Sequence, residues 1–196
     1  MRRGKPTTKE TFRDQLRAHE VERVWAQDEG RFGLKVWFRR RWCPFRERPP
    51  WVFVDRYCWC WVYAAVEPSS GANVVLLLPG MDTACQQIFL DTLAAALPGE
   101  RVGVVQDGAG AHRSTALRWP DTLVRLPLPP YSPELNPVEA LFRHLRARLA
   151  NRIFADLEEL ETALTTELQH FWADRTGLQS LTGYSWWVKA VADMHA

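Results

Sequence analysis

Hydrophobic period changes in a definite order along this chain. Alternating, strand-like segments come first, and helical and strand-like segments then take turns. Val21 to Asp28 alternates apolar and polar residues as a half-buried strand does, and Asp28-Glu29-Gly30 is expected to end it. Arg31 to Phe38 is a candidate for another strand. Tyr57 to Val66 and Asn73 to Leu78 are β-type runs separated by Pro68-Ser69-Ser70-Gly71, a turn composition. Thr83 to Leu97 reads as a helix with Phe89, Leu93, Ala96 and Leu97 on one face, and Arg101 to Gln106 as a short apolar strand closed by Asp107-Gly108. A brief helix is expected over Ala111 to Leu117, then a strand over Leu123 to Leu126 and a Pro-rich loop through Pro133. Pro137, tolerated in a first turn, opens a helix whose stripe is Val138, Leu141, Phe142, Leu145 and Leu149. Asp156 to Trp172 is a further amphipathic helix, and Gly177 to Ala196 reads as a turn and a last helix. Strands first, then helix and strand in alternation, predict an α/β domain with a mixed, five-stranded sheet flanked by helices.

A length of 196 residues suits one such domain. The expected organisation is a helical lead-in over 1–20, a main domain over 21–176 and a tail over 177–196. Arg39 to Pro50, with five Arg and three Pro, fits no regular element and reads as an insertion within the main domain. No apolar run approaches the ~20 residues that span a bilayer, and the polar, basic stretch from Met1 to Ala18 does not read as a signal peptide. A cytoplasmic protein without a membrane partner is the expectation.

The charged residues nearly balance, at a net +2, but the cations are 21 Arg against 4 Lys. Arg grips phosphate with a planar fork, so the bias suits a nucleic-acid partner; a GC-rich coding sequence produces the same bias. Ten Trp serve a core as readily as a binding platform. Cys43, Cys58, Cys60 and Cys85 lack the second knuckle of a structural zinc site and read as buried free thiols.

Three acids occupy suggestive places. Asp28 and Asp107 each end an expected strand, and Glu139 lies in the first turn of a helix. Reacting groups of α/β proteins gather where loops leave the sheet, although each acid alone also suits a turn or a cap. Mg²⁺ prefers carboxylate oxygens, and three convergent carboxylates suffice for a pair of ions ~3.5–4 Å apart, a clamp for displacement at phosphorus. Helical spacing turns Arg143 and Arg146 toward the side of Glu139, where a DNA backbone would pass.

Three blocks carry a resemblance. They are Trp25-Ala26-Gln27-Asp28-Glu29-Gly30-Arg31-Phe32-Gly33-Leu34, Asp107-Gly108-Ala109-Gly110-Ala111-His112-Arg113-Ser114, and Leu128-Pro129-Pro130-Tyr131-Ser132-Pro133-Glu134-Leu135-Asn136-Pro137-Val138-Glu139. Together they resemble the acidic blocks of DDE transposases, and most closely the six-thirty group of bacterial insertion sequences, related to the mariner-like transposases. The third block is the most specific, and the likeness runs from about Val21 to Tyr184.

The resemblance implies an RNase H-like fold in which Asp28, Asp107 and Glu139 are the catalytic, metal-holding triad. It implies two Mg²⁺ ions per site, with Mn²⁺ as a substitute, and metal-dependent DNA cleavage followed by strand transfer. His112 matches a His of the family motif and is either an auxiliary group near the metals or a structural one. Glu29 is expected on the opposite strand face from Asp28, and Glu134 is expected to cap the following helix. The chain departs from the family at Gly108, where Asn is usual, and in a short interval between the second and third acids, which implies a trimmed loop near Trp119-Pro120.

The implied partners are element ends and target DNA, commonly at TA steps that deform easily, a second copy of the chain, and a nucleoid setting in a bacterial cytoplasm. Residues 1–20 are too few for the helix-turn-helix module that precedes such catalytic domains, so end recognition is expected from a separate helix-turn-helix polypeptide. Arg39, Arg40 and Arg41, beside Trp42 and Phe45, offer backbone grip with stacking; the same cluster also reads as a solvated loop or a dimer contact. The alternative to an active enzyme is a catalytically weak, truncated remnant that binds DNA or a full-length transposase.

Overall fold

The computed structural model describes residues 8–19, 21–40, 42–47, 55–107, 116–128 and 132–194. Its longest strand, β1 (Arg23–Gly33), runs straight through Asp28-Glu29-Gly30, so the expected stop there is corrected. Arg31, Phe32 and Gly33 complete β1, and the chain from Leu34 to Arg40 is irregular rather than a second strand. Gly30 stays in the strand because tertiary packing needs it there. A Cβ at Gly30 would stand 3.1 Å from the Phe142 ring, so glycine lets that ring lie closer to the strand than any side chain would.

Four further strands complete the sheet: β2 (Trp59–Glu67), β3 (Ala72–Leu78), β4 (Val102–Gln106) and β5 (Leu123–Pro127). Their order is β3-β2-β1-β4-β5. β1, β2 and β3 pair antiparallel, whereas β4 and β5 extend the sheet in parallel, giving the mixed five-stranded sheet expected. β1 is shared unequally. Arg23 to Ala26 pair with β4, while Ala26 to Gly33 pair with β2. The far half of β1 thus projects with β2 and β3 beyond the end of β4, and only its last two residues, Phe32 and Gly33, run past β3 with β2 alone.

Each face of the sheet buries its own core. On one face, α2 (Thr83–Ala96) covers Trp25, Tyr63, Val102 and Val104 with Phe89, Leu90 and Leu93. On the other, Val24, Ala26, Phe32 and Val105 pack under α3 (Val138–Leu149) and α4 (Leu157–Ala173). Aspartates start two of these helices: Asp82 Oδ1 accepts from the Cys85 N–H at 2.8 Å, and Asp156 Oδ1 from the Glu159 N–H at 2.9 Å.

The tail differs from its expected form. Gly177 lies inside α5 (Arg175–Thr182) rather than in a turn, and α6 (Ser185–Ala192) follows. Helix α1 (Thr8–Ala18) packs on α6, with the Phe12 ring 4.8 Å from that of the fully buried Trp187. The thiols are free, but only Cys60 and Cys85 are buried; Cys43 and Cys58 are exposed because both precede or lie outside the strands. Most of the brief helix expected at 111–117 falls outside the described residues. No helix among the described residues is long and apolar enough to cross a membrane.

Candidate active site

Parallel register brings two of the three acids together. Ala26 pairs with Val105, and continuing that register by two residues sets Asp107, just past β4, beside Asp28 in the middle of β1. Strand alternation sends Ala26 and Val105 into the core under α3, so Asp28 and Asp107 share that face. Asp107 is exposed, whereas Asp28 is partly enclosed.

Burial pushes the Asp28 carboxyl up to about 8, and the negative fields of Glu29, Glu139 and Asp107 add to the shift; a hydrogen bond from the Glu29 backbone N–H, 2.9 Å from Oδ1, opposes it. All three expected acids therefore act on one locus. Among the described residues no three carboxylate, imidazole or thiol groups stand close enough to ligate a single ion. Like charges keep apart, and Glu139 leans instead toward Arg146, with Oε2 and Nη1 at 3.9 Å.

The third acid is placed by a residue that sequence reasoning passed over. Asn136 is 1% exposed, and its side chain joins β1 to the start of α3. Nδ2 donates to the Gln27 carbonyl at 3.0 Å and lies 3.3 Å from Asp28 Oδ2, while Oδ1 accepts from the Val138 N–H at 3.1 Å. The Asn136 carbonyl then accepts from the Glu139 N–H, also at 3.1 Å. Asn136, and not Glu134, supplies the helix-start bond. Glu134 sits exposed in a single 3₁₀ turn, Pro133–Leu135, two positions before Asn136. Asn before Pro at a helix start was the available signal, since that pair favours a turn whose side chain caps its own backbone.

The cations divide. The Arg146 guanidinium lies 5.3 Å from the Trp37 ring centre, 5.6 Å from Phe32 and 5.8 Å from Phe142, so it organises the wall beside Glu139. Arg143 is exposed on the same helix. Arg39 and Arg40 are exposed, and the Arg39 backbone is clamped by the Asn151 side chain through bonds of 3.0 Å in both directions. Arg41 and His112 lie outside the described residues. Glu29 does point to the opposite face, where it accepts from Gln27 Nε2 and adds to the field that raises the Tyr63 hydroxyl, whose shift is caused first by burial.

An all-oxygen donor set of this kind fits a hard divalent cation such as Mg²⁺ or Mn²⁺, whose charge would relieve the repulsion centred on Asp28. The arrangement has the makings of a phosphoryl-transfer site: carboxylates on two adjacent strands and a helix, with cations alongside.

Comparison with known proteins agrees with this fold. An uncharacterized protein of Sinorhizobium fredii, y4pE/y4sA, is 37% identical over 106 residues, covering 53% of this chain and 78% of that protein. The Mos1 transposase paired-end complex with left transposon end shares the fold at a TM-score of 0.63 and 21% identity, over 98% of this chain and 64% of that one. The Mos1 mariner paired end complex with Mn gives a TM-score of 0.61 at 20% identity, over 100% of this chain and again 64% of that one. The chain thus spans a little under two thirds of these Mos1 chains. Residues 23–161 match the DDE superfamily endonuclease family, a span containing Asp28, Asp107 and Glu139, and the chain belongs to that family.

Proposed function

We propose that this chain is the catalytic part of an insertion-sequence transposase, cutting DNA at element ends and joining the freed 3′ ends to target DNA. The observation that carries the reading is the single locus at Asp28, partly enclosed, in register with Asp107 and tied through Asn136 to the helix of Glu139. Family membership and the fold shared with a transposase solved on its transposon end supply the nature of the substrate.

Asp28, Asp107 and Glu139 would hold two divalent ions, which supply activation of the attacking oxygen and stabilisation of the leaving one. The chain's own residues do the positioning. Asn136 keeps the Asp28 carboxylate facing α3, Arg146 holds the Glu139 carboxylate on the same side, and Arg143 and the Arg39–Arg40 segment present charge to the phosphate backbone. His112 belongs to the same proposal as an auxiliary group. A second copy, a separate end-recognition polypeptide and TA target sites complete the reading.

The test is nicking of supercoiled plasmid with Mg²⁺ or Mn²⁺, together with Mn²⁺ calorimetry in the presence of a short duplex. Wild type should nick and bind metal. Asp28→Asn, Asp107→Asn and Glu139→Gln should each lose both while still retaining DNA. Variants that nick as wild type does would refute the triad, and a wild type that neither nicks nor binds metal would favour the remnant.

A further inference from the structure

The projecting end of β1 and β2 carries a second site, which adjoins the wall beside Glu139 through Trp37 but contains none of the three acids. It is an open cavity of about 500 Å³, in the size range of small-ligand pockets, lined by Arg31, Lys35, Trp37, Arg56, Tyr57 and Trp59 among others. The rings are unusually bare for a folded protein: Trp37 is 46% exposed, Tyr57 69% and Trp59 41%. Cations accompany them. Arg31 Cζ lies 5.1 Å from the Trp59 ring centre and Lys35 Nζ 5.6 Å from that of Tyr57. Arg56 is anchored through a bond to the Ala155 carbonyl. Asp55, 3.8 Å from Lys35 Nζ, offsets one of the three positive charges, and the exposed Arg39 and Arg40 add more along the same connection.

We infer that this aromatic and cationic cavity binds unpaired nucleotides of a DNA strand, with bases on the rings and phosphates on Arg31, Lys35 and Arg56. A duplex keeps its bases stacked inside and offers a protein surface mainly phosphates, so bare rings in a concave site gain nothing from it. An unpaired strand offers both a π-face and a charge at each nucleotide. The cavity and the Asp28 locus share one strand: alternation along β1 puts Asp28 on the α3 face, and Arg31, opposite Trp61 of β2, on the other. Arg31 follows Asp28 by three residues, roughly 10 Å of strand. The choice of DNA over other nucleic acid rests on the function proposed above; the cavity and its charge do not.

Fluorescence anisotropy of a labelled oligothymidylate and of a short duplex, both in EDTA, tests this directly. Trp59→Ala and Tyr57→Ala should each weaken single-strand binding at least about fivefold and change duplex binding less than about twofold, with Trp59→Phe restoring most of the loss. Tyr57 lies outside every strand and is mostly exposed, so Tyr57→Ala should melt as wild type does and keep the test valid if Trp59→Ala misfolds. Unchanged single-strand affinity in Tyr57→Ala, or equal losses for single strand and duplex, would overturn the inference. So would sedimentation showing that the variants lose self-association while single-strand affinity persists, since the cavity would then be a contact between copies. The assay involves no cleavage, so a chain that binds single strands here yet never nicks DNA contradicts the proposed function and leaves this site standing.

Discussion

The dipeptide Gln-Asp occurs at the same register on both central parallel strands, as Gln27-Asp28 and Gln106-Asp107. Alternation sends the members of each pair to opposite faces. The aspartates face α3, where Asn136 meets Asp28 and a set of charges converges. The glutamines face the α2 side, fully buried, together with Gln86 from α2. Both amide atoms of Gln106 and of Gln86, and Oε1 of Gln27, have no hydrogen-bond partner among the described residues. One face therefore holds connected polar groups, those of the proposed site, and the other holds buried polar groups without partners among the described residues, each a cost to stability. A single strand supports a charged site on one side only because its neighbouring residues belong to a different layer.

The sharpest way to break that comparison is at Asp28. Asp28→Asn is expected to lower metal-dependent nicking on the order of a thousandfold or more. It should also raise the melting temperature in chelator by a few degrees, roughly the effect of 1–2 kcal/mol in a chain of this size, because it removes a carboxylate that burial and its neighbours disfavour. Nicking that survives the change would show the α3 face to be merely structural.

Asn136→Ala comes next. It leaves the buried Gln27 carbonyl and Val138 N–H without that partner and should cost about 2–4 kcal/mol in urea unfolding. Nicking should fall about a hundredfold through displacement of α3, with metal affinity falling alongside. A stability loss with unchanged nicking would make Asn136 a scaffold residue only. Gly30→Ala acts on the same junction from below, since the new Cβ must push the Phe142 ring. About 1–2 kcal/mol and roughly a tenfold drop in nicking are expected, read by melting and plasmid assay.

The opposite face should behave oppositely. Gln106→Leu replaces two amide atoms that have no partner among the described residues with an apolar group of similar size, so stability should stay level or rise by about 1 kcal/mol and nicking should change less than about threefold. A clear loss of either would mean that the buried amides support the acids through the strand.

The smallest effect concerns His144, on α3 against the Phe171 ring at 5.2 Å. Burial lowers its pKa below the usual 6.5. The neutral imidazole is favoured in the fold, so its contribution is present above the unfolded pKa and is lost as pH falls from about 6.5 toward the lower folded value. Urea midpoints of wild type should drop, relative to His144→Leu, between neutral pH and about pH 5.5. Parallel midpoints would mean that the imidazole is solvated.

How much of this was legible in the residues differs from element to element. The helices α2, α3 and α4 lie within a residue or two of their expected spans, because their apolar stripes and start signals are local. The break expected in β1 at Gly30 was wrong because glycine's weak strand preference is local, whereas the packing of Phe142 on it joins residues far apart in sequence. Asn136 escaped notice for the same reason: its partners are Gln27 and Asp28, more than a hundred positions away. The cavity at the projecting end of β1 and β2 was legible only as scattered rings and cations, since Arg31 and Trp59 meet through strand pairing.

Residue periodicity and spacing by themselves determined the α/β class, the positions of most elements and which acids to suspect, since each depends on neighbours within a turn or a strand. Register, the side of the sheet each polar group faces, the tie from Asn136 to Asp28 and the bare cavity at the projecting end were decided by the tertiary structure alone. They arise where distant segments pair and pack, and short-range pattern carries no record of which segments those will be.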